Sequence, residues 1–200
     1  MKKLLGTLAI TALVASAFAQ GTITFQNQTG RVQQWTSPTD STLMSVPVGG
    51  GFVELIAAPA GSALTANAAW TYSSLAGFLA ANPAWATVGT SSINLAAGIF
   101  SGGGFTIANV APGANASYVV LGWTGGAGTT WDTALASGAM LGESAVFTTA
   151  TANPGTTPPG VAVNLKTTFG GITLAPIPEP ATFALAGLGL AALMVFRRRS

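Results

Sequence analysis

Polar and apolar residues alternate through Thr22-Ile23-Thr24-Phe25-Gln26, which puts Ile23 and Phe25 on one face and predicts a half-exposed strand. Phe52–Ala57 predicts a second strand, stopped by Pro59 and Gly61. Phe105–Val110 alternates again and closes in Ala111-Pro112-Gly113. Ser117–Trp123 is apolar almost throughout, the pattern of a strand buried on both faces at the centre of a sheet. Ser144–Thr149, Val161–Leu165 and Phe169–Leu174 complete a set of short strands separated by Gly/Pro turns. The pattern predicts a mainly β body, an antiparallel β-sandwich or Greek-key-like domain.

Helical signals are few. Ser73–Ala81 reads as a short helix stopped before Pro83. Asp132–Gly138 reads as another, capped by Asp132 and ended by Gly138. Asn153–Gly160 is a loop or linker, and the runs Gly102–Gly104 and Gly125–Gly128 read as turns.

Two apolar runs stand apart, one at each end. Leu4–Val14 follows Lys2 and Lys3 and precedes Ala17-Phe18-Ala19, with Gln20 next. That is the anatomy of a secretory signal peptide over residues 1–19, with Ala17 and Ala19 as the small residues of the cleavage region. Ala181–Phe196 holds no charge and is followed by Arg197, Arg198 and Arg199. Sixteen helical residues reach roughly 24 Å, so snorkelling arginines and local thinning must make up the span. The arginine cluster would hold that end in the cytoplasm, leaving the body outside.

Charge is otherwise scarce. Only 6% of the 200 residues are charged, against roughly 25% in ordinary globular chains. Between residues 20 and 176, Arg31 and Lys166 face Asp40, Glu54, Asp132 and Glu143, so the formal +2 of the whole chain belongs to its ends. No basic stripe exists to neutralise phosphates, and no nucleic-acid partner is expected. His and Cys are both absent. Disulfides, thiolate nucleophiles, His- or Cys-ligated metal and a Ser-His-Asp triad are excluded by that alone. No cofactor and no metal site are expected.

The junction before the C-terminal run carries a more specific signal. Ile177-Pro178-Glu179-Pro180, then the apolar run, then the terminal arginines, resembles the PEP-CTERM sorting signal of Gram-negative bacteria. The resemblance covers residues 177–200. It implies that Pro178, Glu179 and Pro180 are a recognition element for an exosortase-type membrane transpeptidase. It also implies that residues 181–196 are a tether in the inner membrane before processing to the cell surface or matrix. The body, from Gly21–Phe25 through Ala57–Leu64, Gly98-Ile99-Phe100, Tyr118–Trp123 and Trp131-Asp132 to Gly142–Phe147, resembles exported proteins with the same tail, which implies no activity. Asn67–Thr90 falls outside that pattern.

Acid–base chemistry in the body is limited to Asp40, Glu54, Asp132 and Glu143. A glycosidase needs two carboxylates at a set separation, and nothing in the sequence brings two of these together. Each reads first as a surface charge, cap or turn residue. Trp123 is expected in the core, whereas Trp70, Trp85 and Trp131 are open to either packing or sugar stacking. The sequons at Asn27 and Asn115 read as coincidence. The expectation is a non-enzymatic structural or adhesive component that contacts exopolysaccharide. The alternative is a small carbohydrate-active enzyme using two of the four carboxylates.

Overall fold

The computed structural model describes residues 20–177, together with Leu188, Met194 and Arg197. The expected signal peptide with Ala17 and Ala19, the Pro178-Glu179-Pro180 motif, most of the 181–196 run, Arg198 and Arg199 lie outside the described residues. Among the described residues no helix is long and apolar enough to cross a membrane.

The body is built from β1 (Gly21–Gln26), β2 (Val32–Ser37), β3 (Asp40–Ser45), β4 (Gly51–Pro59), α1 (Leu75–Ala81), β5 (Ala86–Ala96), β6 (Ile99–Ile107) and β7 (Asn115–Thr124). After these come α2 (Trp131–Ala136), β8 (Met140–Glu143), β9 (Phe147–Ala150), β10 (Val163–Asn164) and β11 (Ile172–Pro176). The strands form one curled sheet in the order β10-β1-β6-β5-β4-β7-β8-β11-β2-β3, with β9 also paired to β7. The fold is mainly β as expected, but one continuous strand path runs where the sandwich reading called for two stacked sheets. Most neighbours are antiparallel, while β11 with β2 and β10 with β1 run parallel.

The curl follows from where the apolar residues point. Ile23 and Phe25 of β1, Leu55 of β4, Phe100 of β6, Val120 of β7 and Leu174 of β11 share one core, although their strands are far apart along the sheet. Rings bridge the gap: Phe25 to Phe100 at 4.6 Å, Phe100 to Phe169 at 5.9 Å, Phe169 to Phe147 at 6.1 Å and Phe147 to Tyr118 at 5.5 Å. A flat sheet would leave these rings in water. A second core forms on the opposite face of β4 and β7, where Ile56, Val119, Leu121 and Trp123 pack against Phe78 of α1 and Trp131 and Ala134 of α2. β7 is apolar from Tyr118 to Trp123 because that stretch is buried on both faces.

Local chemistry sets the ends of the elements. The Ser74 hydroxyl accepts from Gly77 N at 3.1 Å and caps α1, whose last residue precedes Asn82-Pro83. Asp132 does not cap its own helix. Thr130 does, in a capping box with Thr133, and Gly138 at φ +68° follows the helix as expected. Gly102–Gly104 lie inside β6 and form no turn; a Cβ at Gly102 would come within 3.1–3.3 Å of the Ser91, Phe25 and Phe105 side chains. The predicted strand 144–149 is split. Ser144 exchanges bonds with Val120 through both its N–H and its hydroxyl, each at 2.9 Å, and the chain leaves the ladder there before β9.

Candidate functional site

Three of the four body carboxylates come to one face of the sheet, the face under the helices. Glu54 of β4 pairs with Leu121 of β7, and Leu121 pairs with Glu143 of β8, so both glutamates stand in one transverse row. Carrying the Ala175–Leu141 register two residues on brings Thr173 opposite Glu143. Thr173 then pairs with Gln33, and Gln33 with Ser45. The row thus turns from buried to polar and open as it leaves β7.

Two cavities meet at Glu143 and Ser144. The larger, about 450 Å³, is lined by Thr29, Arg31, Gln33, Thr173 and their neighbours. The smaller, about 200 Å³, is lined by Thr65–Ala68 and Trp70. The Glu143 carboxylate accepts from Ala69 N at 2.8 Å. Burial raises its pKa, and the Ala69 bond pulls the other way. The Ser144 hydroxyl is committed to Val120 N and Ala145 O, so it shapes the junction and is not free to act as a nucleophile. Arg31 also lines the larger cavity, and its guanidinium donates to the Ala97 carbonyl at 3.0 Å. Arg31, Glu143, several hydroxyl and amide residues and Trp70 thus line the two cavities, a nearly neutral and largely polar set.

Glu54 lies deeper. Burial, and then the negative charge of Asp132, push its pKa up to about 7. The Asp132 carboxylate accepts from Leu75 N at 2.7 Å, tying the start of α2 to the first residue of α1. Asp40 stands apart at the β2–β3 turn, where hydrogen bonds from Thr42 lower its pKa. The convergence of Glu54, Asp132 and Glu143 has no counterpart in sequence spacing, because it depends on strand register across β4, β7 and β8.

The five tryptophans divide cleanly. Trp123, Trp131 and Trp85 are core residues. Trp123 donates to the Thr129 carbonyl and Trp85 to the Ala63 carbonyl. Trp35 and Trp70 remain half-buried. Asn27 is a structural residue that the sequence hid behind a sequon. Its amide donates to the Gly30 and Gly98 carbonyls at 2.6 and 2.8 Å and accepts from Phe100 N at 2.7 Å, pinning β1 to the β5–β6 turn. Buried in that way, it offers no atom for a glycan. Among the described residues, no group of three or more His, Cys, Asp or Glu could hold a metal ion.

No curated protein and no solved structure matches the chain. The family model of the PEP-CTERM protein-sorting motif matches residues 176–199, beginning at the last residue of β11. The chain therefore carries a PEP-CTERM sorting motif and is an exported, membrane-transiting protein of the kind processed by exosortase.

Proposed function

We propose that the exported chain is a non-enzymatic structural or adhesive component of the cell envelope or matrix, and that its body holds polysaccharide in the groove at Glu143. The observation that carries this reading is that two open cavities share Glu143 and Ser144. Two polar cavities that share Glu143 and Ser144, the smaller also lined by Trp70, suit sugar rings, whose C–H faces stack on aromatics while hydroxyls bond amides and carboxylates. The surrounding organisation belongs to the same proposal. Residues 1–19 are removed as a signal peptide at Ala17–Gln20, residues 20–176 form the body, and residues 177–200 form the sorting tail. In that tail Pro178, Glu179 and Pro180 are read by the processing enzyme, while 181–196 and Arg197–Arg199 hold it in the inner membrane. The order β7-β4-β5-β6 supports the Greek-key-like reading of the fold, since β7 returns to lie beside β4.

The carboxylate-enzyme alternative would take Glu54 and Glu143 as its pair. Two strand spacings separate their backbones by roughly 9–10 Å, and the fully buried Leu121 stands between them. Glu54 lines neither of the cavities that meet at Glu143.

A glycan array probed with the exported protein tests the proposal. Trp70→Ala should weaken retention on the bound glycans about tenfold, as loss of one stacking partner does. Glu54→Gln should leave binding unchanged. Failure to retain any glycan, or equal binding by wild type and Trp70→Ala, contradicts it.

A further inference from the structure

Between residues 20 and 176 the chain has two cations, Arg31 and Lys166, and both line one cavity of about 360 Å³. Arg31 is exposed just before β2, and Lys166 is half-buried in the 3-10 turn that follows β10. None of the four body carboxylates lines this cavity. In a mildly acidic body the lining thus carries two positive charges and no negative one. The backbone around it is pinned. Asn27, in the same lining, ties β1 to the β5–β6 turn through Gly98 and Phe100. The Arg31 guanidinium donates to the Ala97 carbonyl of that turn at 3.0 Å. The Thr29 hydroxyl donates to the Lys166 carbonyl at 3.3 Å, and the Asn164 side chain accepts from Lys166 N at 2.9 Å. Both cations therefore stand on loops that are bonded to their neighbours.

We propose that this cavity is an anion subsite, where Arg31 and Lys166 hold the carboxylate of an acidic sugar, a uronic acid residue of a glycan. A carboxylate accepts charge-assisted hydrogen bonds from a guanidinium and an ammonium together. The rest of the lining favours a sugar over a bare anion. Leu95, 65% exposed, and Ile99 give an apolar wall for the C–H face of a ring, and the Gln26 and Gln28 amides face ring hydroxyls with donors and acceptors. A free inorganic anion would leave that wall unused. Two cations are also too few to follow a phosphate backbone. Arg31 lines the larger cavity at Glu143 as well, so the subsite adjoins the groove. The inference rests on the proposed function for the class of polymer alone, since neither Glu143 nor Trp70 lines this cavity.

Titration of the exported protein with an oligogalacturonate and with its methyl ester tests it, because esterification removes the charge and keeps the rings. The acid should bind about tenfold more tightly than the ester. Lys166→Gln should weaken binding of the acid about fivefold, as expected for a part-exposed ion pair, and leave the ester unchanged. Lys166→Arg should restore the preference. Arg31→Gln should act like Lys166→Gln, and circular dichroism checks that losing the bond to Ala97 has not unfolded the turn. Trp70→Ala should leave the ratio of acid to ester unchanged. Equal affinity for acid and ester, an unaltered ratio in Lys166→Gln, or binding of neither overturns the inference. So does tighter binding of an oligoglutamate, which would make the ligand an acidic peptide. Acid and ester bound equally, with both weakened by Trp70→Ala, would overturn the subsite and leave the groove at Glu143 standing.

Discussion

Glu54 occupies an apolar row between Phe52 and Ile56, and burial together with Asp132 raises its pKa to about 7. In an unfolded chain it titrates near 4.5. The folded state holds the extra proton between those values, so the contribution of Glu54 to stability is full below about pH 4.5 and is lost as pH rises towards 7. Glu54→Gln keeps the shape and removes the charge. It should stabilise the body at pH 8 by on the order of 1 kcal/mol, after discounting for partial solvent exposure, and should flatten that pH dependence in thermal melts. Tyr118 offers a second test. Its hydroxyl is buried and finds no hydrogen-bond partner among the described residues, so Tyr118→Phe should be neutral or stabilising by about 1 kcal/mol in urea unfolding. A clear loss would mean that the hydroxyl is bonded. Neither environment was legible in the sequence. The run Phe52–Ala57, stopped by Pro59 and Gly61, predicts a strand, but only the register with β7 shows that Glu54 shares the face packed by the helices.

At the scale of elements, most strands that bury side chains were legible and those that bury few were not; β6 is an exception, since the strand expected at Phe105–Val110 runs from Ile99 to Ile107 and turns at Ala108. β1, β4 and β7 declare themselves through Ile23/Phe25, Val53/Leu55 and the unbroken 118–121 run. β2 buries Val32 and little else, β3 nothing, and β5 mainly Ser91 and Ile93, so Thr, Ser, Gln and Gly dominate their patterns. Such strands are held by pairing with neighbours, which a single sequence does not display. β8 was hidden for another reason: four residues long, it contains Gly142, required where the Thr173 carbonyl of β11 approaches. Gly142→Ala would drive a methyl group onto that carbonyl. It should cost several kcal/mol, on the scale of other backbone clashes, and show as a lowered midpoint in urea. Ser74→Ala removes the α1 cap and should cost about 1 kcal/mol; because α1 roofs the second core, near-ultraviolet dichroism of the buried tryptophans should fall with it.

The whole molecule is a sparsely charged body between two basic, apolar ends, and that arrangement was the most legible feature of all. Charge bias and apolar length are properties of composition along the chain, so they survive without knowledge of contacts. Closure of the sheet is the opposite case. β11 comes from the end of the body yet lies between β8 and β2, and its last residue, Pro176, opens the matched sorting motif. The motif is thus joined to an interior strand with only Ile177 before Pro178, and Ile177 packs on the second core. Sorting through this tail is the central claim, and intact-mass measurement of the protein recovered outside the inner membrane tests it most directly. Wild type should lack both residues 1–19 and the segment after the Pro178-Glu179-Pro180 motif. The Pro178-Glu179-Pro180→Ala-Ala-Ala variant should accumulate in the membrane with its tail intact. An exported wild-type protein whose mass includes both Met1 and Ser200, or normal trimming of the triple-alanine variant, would contradict the account.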